Sequence, residues 1–297
     1  MLASIQEGVL IVCIKTPNST VLLQSIHSAN DTMSAKSRSL TIVITGASRG
    51  LGAGMARTYL ERGHKVAACS RSPPPEDLDH NVNDKEGRLY YQSNVDVCDP
   101  QAVKVFMENT AKKLGSSIDV WINNAGILDP IKPIRNTNFA DFEKNIQVNL
   151  MGTFHATKAY INYCRSRAGD TTTPSTLVNI SSGAAVKGYA GWGAYCCSKG
   201  AVDRLTECAL AEEQDDESSK LCFRAYSIAP GVIDTDMQAK IRSSAKSDFP
   251  MVDKFHEIKA NDSFNTPPYI SIQIERLALL EGPQTLAVVQ RLPSEKS

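Results

Sequence analysis

The sequence predicts an α/β protein, a doubly wound parallel sheet with helices on both faces in one domain, and three observations carry that expectation. From residue 41 onward apolar runs of strand length alternate with helix-length segments, the first strand enters its helix through a glycine-rich turn, and several strand candidates are apolar enough to be buried. Strands alternating with helices cover a parallel sheet on both faces.

The first unit is TIVIT at 41 to 45, GASRGLG at 46 to 52, AGMARTYLERG at 53 to 63 and KVAACS at 65 to 70, one βαβ crossover of about thirty residues. Further strands are expected at IDVWINN (118 to 124), STLVNIS (175 to 181) and CFRAYSIAP (222 to 230), and TLAVV (285 to 289) is the candidate for the last one. Residues 1 to 40 show no clear amphipathic pattern, and SANDTMSAKSRS at 28 to 39 is polar and linker-like, so they are expected to form a disordered extension. The expected boundaries are therefore 1–40 for the extension, 41–290 for the α/β domain and 291–297 for a C-terminal tail.

The bulk properties narrow the class of function. Thirty-two basic residues balance thirty-two acidic ones, so no electrostatic footprint for nucleic acid is present and a small neutral substrate fits better. Eight cysteines form no C-x-x-C pair and the five histidines have no ligand spacing, which leaves metal sites and a disulfide framework unsupported. The early run VLIVCI at 9 to 14 is too short to span a bilayer and follows Glu7 instead of a basic segment. A cytoplasmic protein is expected; a mitochondrial presequence over residues 1 to 32 is the competing reading, disfavoured because residues 1 to 40 hold three Lys/Arg residues.

Gly46, Gly50 and Gly52 space as GxxxGxG between strand and helix, the context in which helix amides receive a pyrophosphate and glycines permit its close approach. This is a Rossmann-type turn. At the end of the second strand, where an NAD-specific protein places an acid for the ribose 2′-hydroxyl, the chain reads Ser70-Arg71, and the nearest acids, Glu76 and Asp77, lie beyond three prolines. Arg71 and Arg49 could pair with a 2′-phosphate, which favours NADP(H); as solvated surface charges they would say nothing about the cofactor.

In GAYCCSK, Tyr195 and Lys199 stand four residues apart and share one face of a helix. A neighbouring ammonium is expected to lower a tyrosine pKa from about 10 toward a useful range. Tyr189, Trp192, Ile127, Leu128 and Met237 are candidates for an aromatic-tolerant pocket, or equally for core, and residues 238 to 266 suit a loop-helix segment over the substrate.

Six features stand in order: TGASRGLG at 45 to 52, NNAG at 123 to 126, Asn149 in VNLMG, Ser182 thirteen residues before Tyr195, YCCSK at 195 to 199 and PGVIDT at 230 to 235. Over residues 40 to 240 the chain thereby resembles the short-chain dehydrogenase/reductase family, and GWGAYCCSKGAV with IAPGVIDTDMQAKIR is similar to its branch of sepiapterin and (S)-benzoin-forming benzil reductases. The resemblance implies Tyr195 as general acid, Lys199 on the nicotinamide ribose, Ser182 on the substrate oxygen and Asn149 at a proton-relay water. It implies NADP(H) along Gly46, Ser48, Arg49, Gly50, Leu51, Gly52, Arg71, Asp96, Val97, Asn124, Gly126, Pro230, Gly231, Ile233 and Thr235, together with Tyr195 and Lys199, and no metal. The implied activity is reduction of an aromatic or conjugated ketone or a benzil-like 1,2-diketone, with a homodimer or homotetramer and no nucleic acid or membrane partner. Pterin reduction is the alternative, although Asp248, Asp253 and Asp262 align to no amino-pyrimidine contact. A non-catalytic dinucleotide-binding regulator is the alternative of another class. The C-terminus departs from the family, whose final strand usually contains glycine.

Overall fold

The computed structural model describes residues 2–6, 9–16, 19–25, 38–79, 86–115, 117–167, 174–216, 221–280 and 284–296. The chain divides into two compact units, Met1–Arg38 and Ser39–Ser297. In the first, β1 (Leu2–Gln6), β2 (Val9–Thr16) and β3 (Ser19–Ser25) pair as an antiparallel ladder with Leu2 opposite Cys13 and Leu10 opposite Ser25. The apolar run at 9 to 14 thus belongs to a strand, and the polar stretch at 28 to 39 falls mostly outside the described residues.

The second unit is a seven-stranded parallel sheet in the order β10-β9-β8-β7-β4-β5-β6. Its strands are β4 (Thr41–Thr45), β5 (Lys65–Cys69), β6 (Leu89–Gln92), β7 (Val120–Asn123), β8 (Ser175–Ile180), β9 (Phe223–Ala229) and β10 (Val289–Arg291). The helices are α1 (Gly50–Glu61), α2 (Pro100–Leu114), α3 (Phe139–Ile146), α4 (Gly152–Arg165), α5 (Gly193–Asp215), α6 (Asp236–Arg242), α7 (Val252–Ala260) and α8 (Pro267–Leu279). The strand order reverses between β4 and β7, the switch point where open parallel sheets bind ligands beyond their carboxyl ends.

Successive residues of a strand face opposite layers, and the central strands are apolar on both. Ile42 and Ile44 join Met55, Tyr59, Ile270 and Ile274 under α1 and α8, while Val43 and Trp121 join Phe106 and Tyr160 under α2 and α4. Helix ends follow local chemistry. The Asp99 carboxylate accepts from Gln101 N at the start of α2, Pro100 follows it, and Gly115 closes the helix in the left-handed region.

Two expectations need correction. β6 lies where the sequence pattern announces no strand, because LYYQ at 89 to 92 is short and half polar. The last strand is Val289–Arg291 instead of TLAVV at 285 to 289. The Gln284 side chain binds both Ala225 N (2.9 Å) and Ala225 O (3.1 Å), occupying the free edge of β9, so the ladder begins only where Ser227 N donates to Val288 O. The strand therefore ends at Arg291. Beyond it Glu295 N donates to Asn265 Oδ1, and Thr266 N donates to the Glu295 carboxylate.

One buried ionic cluster ties α1 to α8. Arg62 binds Glu275 through both ends of its guanidinium, and His64, whose Nδ1 accepts from Leu40 N, brings Nε2 within 3.4 Å of Glu275 Oε1. Burial alone would raise the Glu275 pKa, but hydrogen bonds from His64 and Arg62 outweigh it and hold the carboxyl at about 2. A carboxyl depressed in the folded state contributes stability above its unfolded pKa and loses it as pH falls toward the folded value. Urea unfolding should therefore show stability declining from about pH 4.5 downward, and Glu275→Gln should lower stability at pH 7 by about 2 kcal/mol while flattening that acid dependence.

Candidate active site

The site forms at the carboxyl ends of β4, β7, β8 and β9. Gly46 follows β4 at φ +71°, and a Cβ there would stand 2.7 Å from Ala125 Cα, so only glycine lets the turn lie against the NNAG segment after β7. A Cβ at Gly52 would meet Gly46 O at 2.4 Å and Asn124 Nδ2 at 2.5 Å. Asn124 donates from its amide nitrogen to Thr45 O and Gly46 O, both at 3.0 Å, while Thr45 Oγ1 accepts from Asn124 N and Ala125 N. The Asn124 side chain is thus occupied as a brace between turn and strand.

Gly50 faces Thr235, whose Cγ2 lies 3.3 Å from where its Cβ would be. Thr235 precedes α6 and makes no side-chain cap bond to that helix. Leu51 and Ile233 pack with the α1 and α8 layer, and Ser48 is half-buried between turn and helix. Arg49 is exposed and pairs at 3.4 Å with Asp236 across the trough. Gly231, at φ +80°, lies against Asn265, which donates to Pro230 O.

Just beyond β5, Arg71 is exposed, and its charge reaches the Cys98 thiol. Asp96 is half-buried and accepts from Cys98 N. Val97 packs against Gly152, and its carbonyl contacts the His155 ring, so its side chain serves the α4 interface. Asp77 is held by the Arg57 guanidinium on α1.

At the other end stand the four residues expected to carry chemistry. Tyr195 and Lys199 lie on α5 and both are buried, with Lys199 Nζ 5.8 Å from the Tyr195 ring centroid and donating to Ile180 O at 2.7 Å. Ser182 follows β8; its Oγ accepts from Ala184 N, and its hydroxyl lies near enough to Tyr195 to draw the phenol's pKa down against burial. Gly126 lies beside them, its missing Cβ 3.1 Å from Asn149 Oδ1 and 3.6 Å from Lys199 Nζ.

The expected lowering of the tyrosine pKa does not result. Burial pushes the Tyr195 phenol up, and the Ser182 hydrogen bond offsets that in part. Burial also brings Lys199 down to about 8 against the opposing charge of Asp203. Both groups are therefore driven toward their neutral forms by the same low-dielectric setting.

Asn149 sits in a π turn, Gln147–Met151, between α3 and α4. Such turns interrupt the regular ladder and recur at functional sites. Its side chain is wholly engaged: Oδ1 accepts from Ile127 N at 2.8 Å, and Nδ2 donates to Ile127 O at 2.8 Å, Asn145 Oδ1 at 3.0 Å and Ser198 Oγ at 3.1 Å. Asn145, which sequence reasoning missed, donates to Asp129 O at 2.6 Å and accepts from Ser198 Oγ at 2.8 Å. The signal was present: Asn145 and Asn149 stand at i and i+4, and Ser198 adjoins Lys199.

Trp192 and Leu128 are core members of an apolar cluster with Phe249, Val252 and Phe255, against which Tyr189 and Met237 pack; Ile127 lies outside it. Trp192 stacks on Phe249 at 4.6 Å and 3°, and meets Tyr195 edge-on at 5.9 Å. Residues 238 to 266 thus contain the end of α6, all of α7 and the apolar anchors that fix them beside the tyrosine. Asp253 pairs with Lys246 and Asp262 with Lys296, while Asp248 directs its carbonyl toward Gly191. Among the described residues no group of His, Cys, Asp and Glu is gathered to hold a metal and no helix is long and apolar enough to cross a membrane, and the seven cysteines from Cys69 to Cys222 are free thiols.

A parallel sheet with a glycine turn at its switch point and a Ser-Tyr-Lys group beyond its carboxyl ends defines a nucleotide-dependent oxidoreductase architecture. The family model for short chain dehydrogenase matches residues 40–246, and the chain belongs to that family. It is 35% identical over 246 residues to the benzil reductase ((S)-benzoin forming) of Bacillus subtilis, covering 80% of this chain and 92% of that one, and 33% identical to the protein of the same name from Bacillus cereus, covering 80% and 92%. Among solved structures, KRED1-Pglu superposes with a TM-score of 0.72 at 30% identity, covering 85% of this chain and all of that one. ElxO with NADP bound superposes with a TM-score of 0.68 at 26% identity, covering 85% and 96%.

Replacing Asn145 by Ala should leave Asn149 Nδ2, Ser198 Oγ and the carbonyls after Ile127 short of partners. Chemical denaturation should show a loss of about 2 kcal/mol, against less than about 0.5 kcal/mol for an exposed control such as Lys158→Ala.

Proposed function

We propose that the protein is an NADPH-dependent carbonyl reductase acting on aromatic or conjugated ketones and benzil-like 1,2-diketones. The observation that carries this reading is the convergence of Tyr195, Ser182 and Lys199 at the strand ends that also carry the glycine turn, with an aromatic cluster packed around the tyrosine. The glycine turn supports a dinucleotide because Gly46 and Gly52 let it pack directly against the segment after β7 while it opens α1, and the first amides of a helix favour a phosphate.

Preference for the 2′-phosphate rests on the residues just beyond β5. Arg71 is exposed there, and Asp77, which could have served a ribose hydroxyl, is engaged by Arg57. The nicotinamide, when bound, supplies hydride to the carbonyl carbon. The phenol of Tyr195, kept protonated by burial, gives its proton to the carbonyl oxygen, and Ser182 donates a hydrogen bond to the same oxygen as negative charge grows there. Lys199 holds the ribose side and supplies positive charge. Apolar surface from Leu128, Trp192 and Phe255 keeps bulk water from the phenol and suits a flat aromatic substituent. Pterin recognition is less well supported, because Asp253 and Asp262 are consumed in ion pairs.

Purified protein should oxidise NADPH with benzil and related diketones, with NADH the poorer donor. Tyr195→Phe should cut kcat by at least about 10²-fold while NADPH still binds by fluorescence titration, and Arg71→Ala should narrow the NADPH-to-NADH preference. Binding of NADPH without turnover of any carbonyl would favour a regulatory dinucleotide-binding role.

The ammonium of Lys199 is present below about pH 8 and lost above it. The kcat for reduction should accordingly hold steady from pH 6 and fall as pH rises through that value; a rate unaffected up to pH 10 would remove the lysine charge from the mechanism.

A further inference from the structure

The last strand ends in a residue that reaches the reaction centre. Arg291, on β10, donates from Nη2 to Asp203 Oδ2 at 2.7 Å and from Nη1 to Ser182 O at 3.1 Å. Asp203 lies one helical turn beyond Lys199 on α5, is buried, and accepts at Oδ1 from Ser181 Oγ and Ser227 Oγ, both at 2.6 Å. The strand end that carries Ser182 is thereby gripped at three successive residues: Ile180 O by Lys199, Ser181 Oγ by Asp203, and Ser182 O by Arg291.

We propose that Arg291 and Asp203 form a positioning pair that ties the C-terminal strand to the reaction centre, fixing the backbone of Ser182 and balancing the charge felt by Lys199. This rests on the reductase reading for its catalytic consequence, though the contacts stand apart from it. Arg291 is one-third exposed while Asp203 is almost wholly buried. The carboxylate therefore depends on that one guanidinium and two serine hydroxyls for compensation, and a buried carboxylate short of its partners is costly.

The groups facing Lys199 define the electrostatic consequence. Asp203, from its own helix, is the charged group that acts on it; Tyr195 is the titratable neighbour, itself flanked by Cys196. Ile180 O from β8, Gly126 from the segment after β7 and Asn149 from the π turn are neutral, and Arg291 from β10 is the positive charge set behind Asp203. Removing Arg291 leaves the field of Asp203 less balanced and favours the ammonium. Removing the charge of Asp203 favours the neutral amine.

The test is the titration of Lys199 in full-length protein labelled with ¹³Cε-lysine, with Lys199→Arg identifying its resonance. Arg291→Met should raise the midpoint, Asp203→Asn should lower it, each on the order of half a pH unit, and Arg291→Lys, which keeps the charge, should leave it near the wild-type value. In parallel, Arg291→Met should lower kcat for a diketone about tenfold or more with little change in the KM for NADPH. Midpoints that do not move, or that move the same way in Arg291→Met and Asp203→Asn, would overturn the proposal even if activity fell, because a purely structural strand end predicts that pattern. Should wild-type protein turn over no carbonyl, the reductase reading fails while the Lys199 midpoints still decide whether the pair acts on this centre.

Discussion

The site depends on the bracket at the switch point, where Thr45 and Gly46 at the end of β4 share four hydrogen bonds with Asn124 and Ala125 after β7. Two adjacent parallel strands send their chains to opposite faces of the sheet there, which would leave a widening crevice lined by unpaired backbone groups. The asparagine amide closes the base of that crevice by donating to two carbonyls, and the threonine hydroxyl accepts from two amides. Gly46 is the residue that allows it, since the turn must come within van der Waals contact of Ala125. Once the turn is fixed, the first amides of α1 and Gly126 take set positions, and Gly126 in turn abuts Asn149 and Lys199.

Burial acts on the reaction centre through the same geometry. Proton transfer from tyrosine at neutral pH is often pictured as a phenol made acidic by an adjacent ammonium, but here the ammonium is directed at Ile180 O and the aromatic cluster surrounds the phenol. In the reductase reading proposed above, the chain holds a neutral donor in place, and proton transfer is driven by the basicity that grows on the substrate oxygen as it gains charge. The Asn149, Asn145 and Ser198 network has the complementary part. The side-chain oxygens and nitrogens of all three residues find partners within the protein, so the π turn is held rigidly at the one place where the helix ladder is broken.

Much of this was legible in the sequence, for reasons that can be named. β4, β5, β7, β8 and β9 are apolar on both faces and bounded by turns, so pattern alone located them. Tyr195 and Lys199 share a helix and their spacing is local, as is the glycine turn. The parts that were not legible depend on tertiary placement. β6 is short and carries Tyr and Gln, and β10 is shifted because a side chain, Gln284, takes the β9 edge first. Asn124 reads as a cofactor contact by position, whereas its amide is spent on backbone carbonyls 78 and 79 residues away. Arg291 and Asp203 are 88 residues apart, and no local period connects them.

The aromatic cluster shows how one core residue can place two elements at once. Trp192 stacks face to face on Phe249, which anchors the segment between α6 and α7, and presents its edge to Tyr195. Gly191 makes that stack reachable: at φ +89° it turns the chain into α5 and leaves room for Asp248 O, which would lie 2.2 Å from a Cβ. The segment between α6 and α7 is thus positioned through the residue three places before the tyrosine itself. Any change that displaces Trp192 must also disturb Phe249 and the helices on either side of it, so the shape of the apolar cluster and the placement of the phenol are set together by one packing arrangement.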